Sequence, residues 1–134
     1  MILADSSAWI EYLRSTESPA AQRLEVLLDR PSQLCTTEVV VMELLAGEVQ
    51  AKAHADLRRL LYRFQPLLTN GLPDYEAAAE LYRACRRGGE TIRKMNDCLI
   101  AAVAIRNDAS VLHRDADFDV LARHTPLRIE PVSA

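Results

Sequence analysis

Short apolar runs alternate along this chain with longer stretches of helical period, and that alternation limits its fold more than any other feature. Residues 1–5, Met1-Ile2-Leu3-Ala4-Asp5, read as a buried strand. Gln33 to Thr36, Phe64 to Leu68, Val111 to His113 and Leu127 to Val132 read as further strands. Each is too brief for an ordinary helix and is bounded by turn or capping residues. The segments between them are amphipathic. Ser6 or Ser7 caps a helix carrying Trp9, Ile10, Tyr12 and Leu13. Ser18-Pro19 opens a second, with Leu24, Leu27 and Leu28 at helical spacing and a stop near Pro31. Thr37 caps a third that runs through Ala46 and stops at Gly47. Residues 48–63 form a fourth, and Pro73-Asp74 opens a fifth that ends at Gly88-Gly89. After a connection over 91–96, Asp97 to Arg106 and Phe118 to Arg123 form the last helices. Strands that alternate with helices imply an α/β fold, a parallel sheet covered on both faces. With 134 residues the chain is expected to be one domain, residues 1–134, able to bury about two-thirds of its unfolded surface.

Four carboxylates sit where folding alone does not ask for a charge. Asp5 closes the first strand. Glu43 interrupts the run from Val39 to Leu45. Asp97 opens the run from Cys98 to Ile105. Asp115 follows the strand at Val111, with Asp117 beside it. In a parallel sheet, ligands sit beyond the carboxyl ends of the strands, near a topological switch point. This places Asp5 and Asp115 there, and Asp97 on the same side at a helix N-terminus. Singly, Asp5 and Asp97 read equally well as helix caps, and Asp115 and Asp117 as turn residues. Glu43 does not reduce in this way, because its helical neighbours Val39, Val40, Ala46 and Gly47 offer no polar face. Converging carboxylates repel one another and lose hydration, so they need a cation. All-oxygen donors suit Mg²⁺ or Mn²⁺. Brought together, these acids would make a metal-dependent phosphoryl-transfer site.

Net charge is −3 and the isoelectric point about 5.6, which argues weakly against nucleic-acid binding. The kind of basic residue matters more. Only Lys52 and Lys94 are lysines, and the rest of the 16 basic residues are arginines, the better bidentate phosphate partners. Arg86, Arg87, Arg93 and Lys94 are candidate phosphate contacts, and Arg114 and His113 flank Asp115 within reach of a substrate. The same basic cluster reads equally well as a solvated helix face. Cys35, Cys85 and Cys98 form no close pair, which points away from disulfides and zinc and towards a reducing cytoplasm. No signal peptide is expected, since Asp5 interrupts the first apolar stretch, and no run is long enough to span a membrane. His54, His113 and His124 are scattered, so metal-free acid–base cleavage is disfavoured.

The pieces Leu3-Ala4-Asp5-Ser6-Ser7-Ala8-Trp9, Val41-Met42-Glu43-Leu44-Leu45-Ala46-Gly47, Asn96-Asp97-Cys98-Leu99-Ile100-Ala101-Ala102 and His113-Arg114-Asp115-Ala116-Asp117-Phe118 occur in this order. In them the sequence resembles the PIN-domain ribonucleases, and more narrowly the VapC toxins of bacterial toxin–antitoxin pairs. The resemblance covers essentially the whole chain. It implies a three-layer α/β/α fold with a central parallel sheet. It implies that Asp5, Glu43, Asp97 and Asp115 form a catalytic, metal-binding pocket, with Asp117 as a further ligand position. Ser6 or Ser7 would orient a carboxylate or a water, and Asn96 would support Asp97. It also implies Mg²⁺-dependent cleavage of structured RNA, tRNA or rRNA, with Mn²⁺ able to substitute, and a consequent block of translation. Attack by water would leave a 5′-phosphate and a 3′-hydroxyl. Sequence choice would come from RNA shape and single-stranded loops, and no aromatic stacking platform is visible. A VapB antitoxin would neutralise the toxin, in a homodimer or a hetero-oligomer with it. Trp9, Tyr12, Leu13 and Leu57 are candidates for an apolar groove that binds the antitoxin or a second copy, or else are plain core. The rival readings are a receiver-like Mg²⁺-binding signalling module and a PIN fold that binds partners without turnover. The first expects paired acids after the opening strand and a late lysine. Here Ser6-Ser7 follow Asp5, and no lysine follows Lys94.

Overall fold

The computed structural model describes residues 1–132. Ser133 and Ala134, the last two residues of the expected 1–134 domain, lie outside the described residues. A five-stranded, wholly parallel sheet forms the centre, in the order β3-β2-β1-β4-β5. The strands are β1 (Ile2–Ala4), β2 (Leu34–Thr36), β3 (Gln65–Pro66), β4 (Ser110–Leu112) and β5 (Arg128–Ile129). Around them lie α1 (Ser6–Leu13), α2 (Pro19–Leu28), α3 (Glu38–Gly47), α4 (Ala51–Leu61), α5 (Leu72–Arg87), α6 (Met95–Arg106) and α7 (Ala116–His124). This is the expected three-layer α/β/α architecture.

β1 takes the middle because every one of its residues is apolar and buried, as a strand flanked on both sides requires. Leu3 sits opposite Cys35 of β2 and Val111 of β4. Pro66 has no N–H to donate and accordingly lies on an edge strand. From β1 the chain winds outward to β2 and β3. It then crosses back through α5 and α6 to insert β4 on the other side of β1. The reversal of direction therefore falls between β1 and β4. α6 is buried without interruption from Asp97 to Ala104, which explains a run that is apolar all round rather than on one stripe. Trp9, Leu27, Leu61, Ile100, Leu112 and Phe118 are among the largest fully buried side chains.

The differences from expectation lie at element ends. α4 begins at Ala51, because the Glu48 carboxylate accepts the Gln50 N–H at 3.1 Å and holds 48–50 as a turn. α6 begins at Met95, two residues before Asp97. β3 and β5 keep only two residues each. β4 stops before His113. Gly88-Gly89 does end α5, with Gly89 in the left-handed region at φ +88°.

Candidate active site

The site grows from the two strand ends at the switch point. Asp5 follows β1 directly, and its N–H donates to Leu112 O at 2.9 Å. Its Oδ2 caps α1, accepting the Ser7 N–H at 3.0 Å and the Ser7 hydroxyl at 2.6 Å. Ser7 Oγ in turn accepts the Arg114 N–H at 2.9 Å, which ties the β1 turn to the segment after β4. Asp115 repeats the arrangement as the cap of α7, its Oδ1 accepting the Asp117 N–H at 3.0 Å. Asp97 enters from the first turn of α6, and Ser6 of α1 donates to Glu43 Oε1 of α3 at 2.6 Å.

What remains unpaired is informative. Asp5 Oδ1 and Asp97 Oδ2 are buried without a hydrogen-bond partner, on side chains whose residues are each 3% exposed. Leaving a buried polar atom unsatisfied costs roughly 1–3 kcal/mol, and more for a charged group. Asp97, Asp115 and Asp117 each offer a carboxylate oxygen, all within 4.8 Å of one another. Burial, then the charge of Asp5, push the Asp97 carboxyl up to about 8, with Asp115 and Asp117 adding to the rise and Lys94 opposing it. Burial also raises Asp5, helped by Glu43 and opposed by Ser7. Asp115 goes the other way. Burial alone would raise it, but the Lys94 ammonium, the Asp117 N–H and Arg93 outweigh that and hold it low. Its hydrogen bond to Asp115 and the nearby Asp97 charge raise Lys94 in return. The pocket is thus short of positive charge, and partly compensated by a proton and by Lys94. Unpaired buried oxygens and a purely carboxylate donor set fit a hard divalent cation such as Mg²⁺ or Mn²⁺.

Asp5, Asp97, Asp115 and Asp117 converge, and Glu43 is tethered at their edge, outside the closest trio. Asp5 and Asp115 each cap a helix with one carboxylate oxygen, so capping does not occupy the whole carboxylate. Asp97 is no cap, since Lys94 occupies that position. Two expectations need correction. Asn96 is exposed and makes no hydrogen bond to Asp97 among the described residues, because a helix that begins at Met95 turns its side chain away. Arg93 and Lys94 do not stand free for phosphate. Arg93 lies 3.5 Å from Asp115, Lys94 Nζ binds Asp115, and both backbone N–H groups donate to Asp117 Oδ2 at 3.1 and 3.2 Å. Asp117 therefore spends one oxygen clamping this loop onto α7. Trp9 belongs to the core, packed against Tyr12 and Phe64. Arg86 and Arg87 are exposed without an acidic partner among the described residues, and Arg114 reaches Glu11 at 3.7 Å. Lys94 as the cation beside Asp115 was missed, because its partner lies 21 residues along the chain and no local spacing signals the pair.

The PIN-domain family model matches residues 2–124. The chain belongs to the PIN-domain family. This PIN domain is 48% identical over 129 residues, 96% of either chain, to a VapC ribonuclease of Mycobacterium bovis and to Ribonuclease VapC11 of Mycobacterium tuberculosis, so it sits among the VapC ribonucleases. Its fold overlays a DNA-bound VapBC structure from Salmonella typhimurium with a TM-score of 0.75, at 18% identity and 96% coverage of each chain. Among the described residues, no helix is long and apolar enough to cross a membrane.

Proposed function

We propose that residues 1–134 form a single-domain, Mg²⁺-dependent endoribonuclease that cleaves structured cellular RNA, tRNA or rRNA, and so blocks translation in the cytoplasm. The observation that carries this reading is the pair of orphaned buried oxygens, on Asp5 and Asp97, beside the Asp97–Asp115–Asp117 cluster. Asp5, Asp97 and Asp115 would hold the ion, and Mn²⁺ would substitute. Bound there, Mg²⁺ supplies Lewis-acid polarisation and charge neutralisation for phosphodiester hydrolysis. Ser7 keeps Asp5 oriented through Oδ2, which leaves Oδ1 for the ion. Glu43, held by Ser6 through one oxygen, keeps the other to accept a proton from the attacking water. Arg86, Arg87 and Arg114 would contact phosphates and position the RNA.

A VapB-type antitoxin is the proposed partner, by analogy with the VapBC complex that the fold overlays. A groove of about 310 Å³ between α1, α3 and α4 is lined by Ile10, Leu13, Leu44 and Leu57 and includes Glu43. An apolar segment lying in it would reach the acidic pocket. Family membership leaves the receiver-like reading without support. The test is cleavage of total cellular RNA by the purified protein with Mg²⁺, Mn²⁺ or EDTA, beside Asp97→Asn. Discrete fragments that need metal and vanish in the variant are expected. Metal-independent cleavage, or full activity in Asp97→Asn, would overturn the site.

A further inference from the structure

The sheet does not hold Asp115 in place. β4 ends at Leu112, three residues earlier, so something else must shape the turn that delivers this carboxylate. We propose that His113 is a positioning residue whose imidazole builds that turn and so presents Asp115 to the pocket. The Asp115 backbone N–H donates to His113 Nδ1 at 3.0 Å. A backbone N–H can only donate, so Nδ1 carries the lone pair and the ring proton sits on Nε2. Nε2 lies 3.3 Å from Asp119 Oδ1 on α7. One face of the ring meets Phe118, with centroids 5.3 Å apart. The side chain is only 8% exposed.

The ring is therefore held by two residues of α7, and through it α7 fixes the backbone of its own cap. A side chain accepting the N–H two residues on is what Asp and Asn do in Asx-turns, and here an imidazole takes that role. The middle N–H of the turn, that of Arg114, goes to Ser7 Oγ. Both N–H groups of the turn are thus met by side chains, one from the β1 side of the pocket and one from the α7 side. With His113 removed, the Asp115 N–H loses its acceptor and the turn loses one of its two pins. Groups that orient a metal-binding side chain in this way commonly change metal affinity 10- to 100-fold when removed.

The inference rests on the proposal that Asp115 binds the ion, so Asp115→Asn is the control. The variants are His113→Asn, whose amide oxygen can replace Nδ1, His113→Gln, whose amide reaches the Nε2 position instead, and His113→Leu, which has neither. Two readouts are taken: Mn²⁺ affinity by electron paramagnetic resonance, and hydrogen exchange of the Asp115 amide in EDTA. Expected are an affinity loss of about tenfold or more in His113→Leu and His113→Gln, and a value within about threefold of wild type in His113→Asn. The Asp115 amide should be protected in wild type and His113→Asn only. Should His113→Leu fail to fold, the contrast between Asn and Gln decides. Wild-type affinity in a folded His113→Leu, or equal losses in Asn and Gln, would overturn the proposal. If Asp115→Asn itself leaves Mn²⁺ binding unchanged, the metal-site reading fails instead.

Discussion

A proton on Asp97 stands in for a cation. With its carboxyl raised to about 8 by burial and by Asp5, Asp97 is mostly neutral at pH 7 in the metal-free fold. The unfolded chain titrates it near the ordinary carboxylate value, so between there and about 8 the native state binds the extra proton. Stability from this group is therefore full at the acid end of that window and is lost as pH rises through it. Metal-free melting temperature should fall as pH is raised from about 5 to about 8, and the slope should flatten in Asp97→Asn, whose amide mimics the protonated acid. Added Mg²⁺ or Mn²⁺ should reverse the slope, because binding expels the proton and strengthens with pH. Parallel slopes for wild type and variant would locate the proton elsewhere. Asp97 could be singled out in the sequence because it opens a wholly apolar run. Its neutral state could not, since that depends on how near Asp5, Asp115 and Lys94 come.

Among the elements, the excursion through α5 and α6 positions the site from a distance. Asp74, in the first turn of α5, takes three hydrogen bonds from Arg106 at the end of α6, from Nε at 2.9 and 3.3 Å and from Nη2 at 2.9 Å, and one from the Asn70 N–H at 2.7 Å. Arg106 also reaches Leu68 O at 2.7 Å. Asp74 is buried while Arg106 is partly exposed, and the arginine holds this carboxyl below its usual range. The pair fastens one end of α6, and Asp97 sits at the other. Asp74→Asn should cost about 2 kcal/mol in urea unfolding, less than a fully buried pair because solvent reaches the guanidinium. A loss under about 0.5 kcal/mol would mean that the pair is screened like any surface bridge. Helix identities were readable from caps and breakers such as Ser18-Pro19 and Gly88-Gly89. Element ends were less so, because Glu48 holding Gln50 and His113 holding Asp115 are individual side-chain bonds with no periodic trace.

The molecule as a whole brings together residues more than a hundred positions apart, as Ser7 and Arg114 show. It also leaves a groove of mixed apolar and charged lining that includes Glu43. Leu13 is 47% exposed in that groove, unlike Trp9 on the same helix. Leu13→Asp should weaken binding of a VapB-type antitoxin at least tenfold by calorimetry and leave metal-dependent RNA cleavage intact. Unchanged antitoxin affinity would place the partner on another face. The order of apolar runs and helical segments already determined an α/β chain with a parallel sheet, and the acids at the ends of those runs already marked the candidates for a cation-binding pocket. Both follow from local periodicity and from the cost of burying charge. The tertiary structure alone decided the strand order β3-β2-β1-β4-β5, the division of oxygens between capping and the pocket, and the placing of Lys94 and Asp117. These depend on distances between segments remote along the chain, and a one-dimensional pattern does not carry them.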